Sequence, residues 1–555
     1  MLYFLKNGAN FFKKKQEDIL SAAFVIVVSV ALSRILGLIR YRLLASQFGD
    51  DIKLLDSFIA ASILPDAIFE VFIFGSIALA FIPVFSQHIS KDKLDKAWQF
   101  SSSMIALGII VFLIFTTFIL IFAPFLALII APGVVAKDPT TAQLISRLLR
   151  IMIFAQLFFV ISIFLTGILQ SFQRFVVPAL ASVFYNIGII ISIIFLSPVF
   201  GIYAPAFGMI LGALLHLVVQ LPLALSLGFK FKLNFNFKSK DVKEAVSLMW
   251  PRTIALGLIR LSDLVNIALV SIAAVGSIVA FNFAQVLQLV PISLFAGSIA
   301  QAALPSLSIH FNSQKSNQFK KIFLESFHQI LFLVLPAAAI LAILRIPAVR
   351  LVFGAREFPW ETTVLTGRVL IAFSIGITAQ AVSLLVTRGF HAIRDSFTPV
   401  KINAFTISLN ISMSLIFILV LKFSIIYIAL AYSIANILNA LLLLYFLDRK
   451  VNFEKKELIL PAIKMIFISF LTAVSLYIPM KLLDRLVFDT TRTVGLILLT
   501  GIATSVGIAV YLLFSWLLKV EQTFIFYRFF KKLIKLPAKF VSPAPTSIDA
   551  QQPHP

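Results

Sequence analysis

The chain of 555 residues contains no cysteine. That excludes a disulfide framework, a thiolate metal site and a cysteine nucleophile. Charge is the second scarcity. Only 13% of residues are charged and 60% are hydrophobic, where a soluble chain carries about 25% charged residues. Mean hydropathy is +1.03. So few charges cannot cover a water-facing surface, which excludes both a soluble enzyme and a disordered chain. What remains is an integral membrane protein. Acidic residues are scarcer still, 24 against 47 Lys and Arg, for a net charge of +23. With no basic soluble domain to hold nucleic acid, the surplus reads as cytoplasmic loop charge. The six histidines show no HExxH-type metal spacing and there is no Walker A loop. No metal, cofactor or direct ATP drive is expected, and the chain does not read as an enzyme.

Against these absences stand 14 apolar runs of about 20 residues or more. They lie near 20–48, 55–87, 102–131, 143–170, 176–198, 202–228, 246–274, 278–310, 322–345, 364–388, 399–421, 424–447, 459–481 and 493–518. The runs are continuous rather than alternating, so helices are expected and barrel strands are not. The fold class predicted is an all-α polytopic membrane protein with 14 transmembrane helices. Lys13, Lys14 and Lys15 precede the first run, which continues through Arg34, Arg40 and Arg42 and so reads as a retained span. With the N-terminus inside, roughly 29 positive charges fall on inner segments and roughly 9 on outer ones. Both termini are therefore expected in the cytoplasm. The tail after Lys519 starts basic and aromatic, as an amphipathic segment on the inner leaflet would. Its last residues, SPAPTSIDAQQPHP, read as disordered.

The sequence also repeats itself. GSIALAFIPVFSQH at 75–88 returns as GSIAQAALPSLSIH at 297–310, with eight of 14 positions identical at an offset of 222. GLIR at 37–40 returns at 257–260. Spans 1–6 and 7–12 thus read as two six-helix lobes, residues 1–228 and 229–450, related by a pseudo-twofold axis along the membrane normal. Residues 451–520 hold the extra pair of spans and 521–555 the tail. Two facing lobes leave a cleft that rocking can open to alternate sides.

Charges at bilayer depth cost at least about 2.5–3.5 kcal/mol each and are functional candidates. Span 1 carries Arg34 and Arg40, and span 7 carries Arg252, Arg260 and Asp263. The last three share one helical stripe. Arg34 and Arg40 lie about 120° apart on a straight helix and converge only if Gly37 permits a bend. Span 2 carries Asp66 and Glu70 at i and i+4, placed to neutralise span 1 arginines or to bind a coupling proton or Na+. Asp56 sits at the outer mouth, for charge pairing or simple solvation. A cluster of arginines in a dry cleft suits an anionic, phosphate-bearing ligand. His216 reads as a hydrogen-bonded helix-packing residue.

At this point the residues resemble a known family. SRILGLIRYRLLASQFG at 33–49 followed by Asp56, LPDAIFEVFIFGSIALAFIPVFS at 64–86, APAFGMILGALLHLVVQLP at 204–222, MWPRTIALGLIRLSDLVN at 249–266 and RGFHAIRDSFTPVK at 388–401 are similar to segments of the MurJ/MviN lipid II flippases. The resemblance implies the multidrug/oligosaccharidyl-lipid/polysaccharide exporter fold. It implies a groove for a polyprenyl tail along spans 13 and 14. Arg34 and Arg40 become binding residues for a diphosphate-sugar head. Arg388, Arg394, Asp395 and Pro399 become a conformational loop. The partner implied is a polyprenyl-diphosphate-linked glycopeptide lipid, carried by a monomer in the bilayer and driven by membrane potential, Na+ or H+. The sequence departs from the family at Tyr41, Phe69, Glu70, Phe74 and Val286, and Arg260 with Arg252 would restore cavity charge from span 7. Other readings stay open: a flippase for a different polyprenyl-linked glycan, a cation-coupled drug exporter of the same superfamily, a membrane glycosyltransferase, or a transport-dead scaffold.

Overall fold

The structure is a computed structural model that describes residues 19–526 except 75–79, 233, 314–315, 355–356 and 491. The basic N-terminal residues, most of the tail, and Arg356 lie outside the described residues. Each apolar run falls on helix, and among the described residues there is no strand. This follows from the solvent: lipid offers no hydrogen-bond partners, so each segment must satisfy its backbone internally.

The helical units are α1 (Ile19–Phe48), α2 (Ile52–Ile68, continuing beyond a π-helical turn to Ile82–Ser90), α3 (Leu94–Ile130), α4 (Pro139–Met152 and Ala155–Ser171), α5 (Val176–Phe200), α6 (Tyr203–Val218), α7 (Lys240–Ser271), α8 (Ser277–Pro291, continuing to Ser298–Asn312), α9 (Ser316–Ile343), α10 (Trp360–Ala392), α11 (Phe397–Leu415), α12 (Ile426–Val451), α13 (Lys455–Leu486) and α14 (Thr493–Leu517). Among the described residues 11 of these are long and apolar enough to cross a membrane.

The internal repeat has counterparts in local geometry. Left-handed backbone occurs at Gln173 and Arg394, at Gly201 and Lys422, and at Gly228 and Asn452. These pairs are separated by 221, 221 and 224 residues. The π turns fall at Phe69–Phe74 and Ile292–Gly297, each beside the repeated GSIA segment. Side-chain joints repeat as well. Asn186 of α5 donates to the Ser33 hydroxyl of α1 at 3.1 Å, and Asn410 of α11 donates to the Ser262 hydroxyl of α7 at 3.0 Å.

Packing uses two devices suited to lipid. Small residues let backbones touch: a Cβ on Gly188 would lie 2.5 Å from the Gly212 Cα, so α5 and α6 meet at their glycines. Phenylalanine fills the wider gaps. Phe81 stacks on Phe85 and Phe100 with ring centroids 5.3 Å away. Outside the repeat, α13 and α14 pack on each other and on α9, where the Tyr511 hydroxyl donates to the Phe332 carbonyl at 2.9 Å.

The loop after α10 is tied down. Arg394 takes the left-handed conformation. The Asp395 carboxylate accepts from the backbone amides of Phe397 and Thr398, both at 3.1 Å, and from Lys450 of α12 at 2.5 Å. Asp395 thus caps α11 and staples it to α12. Pro399 is buried in the first turn of α11, where its missing amide costs nothing, and Arg388 is half-buried near the end of α10. Partial burial opposes ionisation of Asp395, but the hydrogen bonds from Lys450 and Thr398 outweigh it and hold the carboxyl down at about 2. The folded value lies below the unfolded one, near ~4. The contribution is therefore complete above about pH 5 and is lost only as pH falls through 2. Asp395→Ala should destabilise the protein by about 0.5–2 kcal/mol, by the same amount throughout pH 5–8. Thermal unfolding of the two proteins across that range checks it, and a difference that changes with pH there contradicts it.

Candidate functional site

Helix α1 enters the centre of the bundle as one unbroken helix through Gly37, so the angular separation of its arginines stands. Arg40 and Arg34 consequently do not converge. Arg40 is half-buried on the wall of a central cavity, with its guanidinium 4.9 Å over the Tyr41 ring and beside Tyr185. Arg34 is exposed and does not line that cavity. Arg42, two residues on, donates to the Leu351 carbonyl at 2.6 Å and so anchors the short helix Arg345–Phe353 against α1.

The cavity wall includes Arg40, Tyr41, Ser62, Asp66, Tyr185 and Asn282, drawn from α1, α2, α5 and α8. Its volume is about 30 Å³, room for a water or two and far too little for a sugar diphosphate. Tyr185 and Asn282 were not singled out by sequence. Their signal was a polar residue inside an apolar run, which many helix-packing residues share.

Helix α2 then makes three polar contacts with α7 and α8 at three levels. At one end, Asp56 is 1% exposed. It is not solvated at a mouth, as its position suggested. Its two oxygens accept from the backbone amides of Gly276 and Val279 at 2.6 and 2.8 Å. Asp56 therefore caps α8 from another helix, satisfying amides that a helix start leaves unpaired. Gly276 holds left-handed backbone at φ +86 to present its amide.

Midway, the Arg260 guanidinium of α7 spreads its fork between two carboxylates. One nitrogen donates to Asp263 at 2.7 Å and the other to Glu70, which sits in the π turn of α2. Glu70 therefore neutralises span 7, not span 1. Asp66, one turn earlier, lies among Arg40, Glu70 and Arg260. Beyond Asp263, the Tyr432 hydroxyl of α12 accepts from Gln380 of α10 at 3.0 Å. Arg252 is a position of α7 whose side chain lies outside the described residues.

At the far end, His88 of α2 meets Asp241 of α7 at 3.0 Å. Asp56 and His88 lie near opposite ends of α2, 32 residues apart in sequence, so the contacts are spread along it. His216 lies elsewhere, bonded to Ser162 at 2.6 Å inside the α4–α6 packing.

The arginines do not stand alone in the cleft. Arg40 and Arg260 share the centre with Asp66, Glu70 and Asp263. Two guanidiniums face three carboxylates because charges at that depth are stable only when paired. Among the described residues no cluster of His, Asp and Glu is placed to hold a metal ion.

With this geometry in view, comparison with known proteins decides the family. A sequence profile described as "Lipid II flippase MurJ" matches residues 44–500. The chain belongs to the MurJ family. A relative from Bdellovibrio bacteriovorus named "Probable lipid II flippase MurJ" is 27% identical over 523 residues, 93% of this chain and 98% of its own. The solved structure "Lipid II flippase MurJ, inward closed conformation" superposes with a TM-score of 0.75 at 26% identity, covering 91% of this chain and 99% of that one. An inward-facing multidrug resistance MATE transporter of the MOP superfamily shares the fold alone, at 14% identity and a TM-score of 0.61 over 77% of this chain and 98% of that one. The MurJ family consists of transporters rather than enzymes, and the chain is a multi-pass membrane protein.

Asp56→Ala removes the acceptor for two amides, each charge-assisted bond contributing about 1.5–3 kcal/mol. It should loosen the Asp56 end of the α2–α8 contact. Since the chain has no cysteine of its own, a Ser277→Cys reporter, buried in the wild type, gives a clean measurement. Its thiol labelling rate should rise at least tenfold in the Asp56→Ala background, and an unchanged rate contradicts the capping role.

Proposed function

We propose that this protein carries lipid II, the undecaprenyl-diphosphate-linked peptidoglycan precursor, across the cytoplasmic membrane by alternating access. The observation that carries the reading is Arg40, held between Tyr41 and Tyr185 on the wall of a shut cavity where α1 and α2 meet α8. A guanidinium there costs energy unless an anion repays it, and a diphosphate matches its fork.

The three contacts of α2 give the cycle its physics. With both termini in the cytoplasm, as the loop charges imply, Asp56 lies at the outer side and His88 at the inner side. Opening inward breaks the His88–Asp241 contact and leaves the Asp56 cap closed; opening outward does the reverse. The central Arg260 contact breaks whenever the cleft widens to admit the head. The matched π turns in α2 and α8 supply bending points beside that cleft. In this reading residues 1–228 and 229–450 are the moving lobes. Helices α13 and α14 hold the lipid tail, Arg34 meets the head near the inner entrance, and the protein works as a monomer. No covalent step is involved, and the drive comes from the membrane potential or a coupled H+ or Na+.

A second reading, a flippase for another polyprenyl-linked glycan, is favoured by the mixed charge of the centre, whose arginines suit a diphosphate but leave the sugar unspecified. Complementation separates the two. Expressed in a host depleted of its own lipid II flippase, the protein should restore precursor translocation, and failure to do so at normal membrane levels overturns the assignment. Arg40→Ala and Arg260→Ala should each lower rescue at least a hundredfold while leaving expression intact. A fully active Arg260→Ala variant removes Arg260 from the site.

A further inference from the structure

The Arg260 fork is fully occupied, and its two occupants differ in kind. Asp263 lies on the same helix three residues on, so it travels with Arg260 whatever the lobes do. Glu70 lies 190 residues away in sequence, in the π turn of α2. Arg40 is different again: among the described residues it closes no ion pair. The contact with Glu70 is also reachable. The Arg260 side chain is 33% exposed and that of Glu70 is 42% exposed, although both sit mid-helix in apolar runs. An ion pair that the protein leaves uncovered can exchange, in contrast to a sealed one.

Resting on the reading above, we infer that Glu70 is the resident anion of Arg260 and that the diphosphate of the substrate displaces it. The head first meets Arg40, whose guanidinium is open to it. To engage both arginines it must take the Arg260 nitrogen that Glu70 holds, because Asp263 moves with the arginine and Glu70 does not. The exchange replaces one charge-assisted contact by another, so Arg260 is paired before and after. Its mechanical result is that α2 is released from α7 at the centre. After the head leaves, Glu70 returns to Arg260 and closes the empty cleft. Glu70 is thus a positioning residue that couples occupancy to lobe movement, and it competes with the substrate for one guanidinium. The charged or titratable groups around it are Asp66 on α2, Arg40 and Tyr41 on α1, Tyr185 on α5, Arg260 and Asp263 on α7, and Tyr432 on α12.

The test uses the full chain in nanodiscs, with undecaprenyl diphosphate as the probe and flipping measured in parallel in vesicles. Glu70→Gln keeps the shape and removes the competing charge. It should bind the probe about tenfold tighter and flip at least tenfold more slowly, since the empty cleft loses the contact that resets it. Opposite changes in affinity and turnover are the signature, because a merely structural contact loses both together. Affinity in Glu70→Gln that is unchanged or weaker, with thermal stability matching the wild type, overturns the inference. If Glu70→Gln fails to fold, Glu70→Asp, which keeps the charge on a shorter arm, should show a smaller tightening in the same direction, and no tightening overturns it equally. Wild-type protein that neither binds the probe nor flips lipid II overturns the flippase reading itself, an outcome distinct from either of these.

Discussion

Charge held inside lipid calls for partners, and the carboxylates of α2 find theirs on other helices. Along α2 the carboxylates face other helices: Asp56 accepts from the amides of α8, Glu70 holds Arg260 of α7, and Asp66 lies near Arg40 of α1 without closing an ion pair to it. In water such contacts would be weak and dispensable. Between apolar helices they are the points that join one half of the bundle to the other, because apolar side chains gain little from one another over lipid. Phenylalanine and glycine packing supplies rigidity inside each half.

This division of labour explains why carboxylates accompany the arginines at the centre. A pocket of bare arginines would be costly whenever it is empty. Supplying carboxylates from across the cleft stabilises the empty, shut form and leaves the arginines available to a competing anion. In the proposed cycle the cavity of about 30 Å³ beside Arg40 is the closed form of the cleft. The charges that hold it shut are the ones a diphosphate would use.

The repeat gives the motion its symmetry. Two π turns beside the repeated GSIA segments, two Asn–Ser joints and three matched left-handed turns put equivalent bending and holding points in both halves. The polar contacts are not repeated in the same way. His310, the counterpart of His88, accepts no carboxylate and instead approaches the Ser306 carbonyl at 2.7 Å within its own helix.

The sequence by itself determined the helices, because hydropathy over 20 residues is a local quantity and lipid permits no other use of such runs. It also determined the two copies and the stripe that joins Arg260 to Asp263, since an i, i+3 spacing needs only the helix. Tertiary structure decided the partners. Glu70 meets an arginine 190 residues away and Asp56 meets amides 220 and 223 residues away, and neither distance leaves a trace in local pattern. It also placed Arg40, and not Arg34, on the wall of the cavity. Whether the two converge depends on whether α1 bends at Gly37, and packing against α5 through the Ser33–Asn186 joint keeps that helix whole.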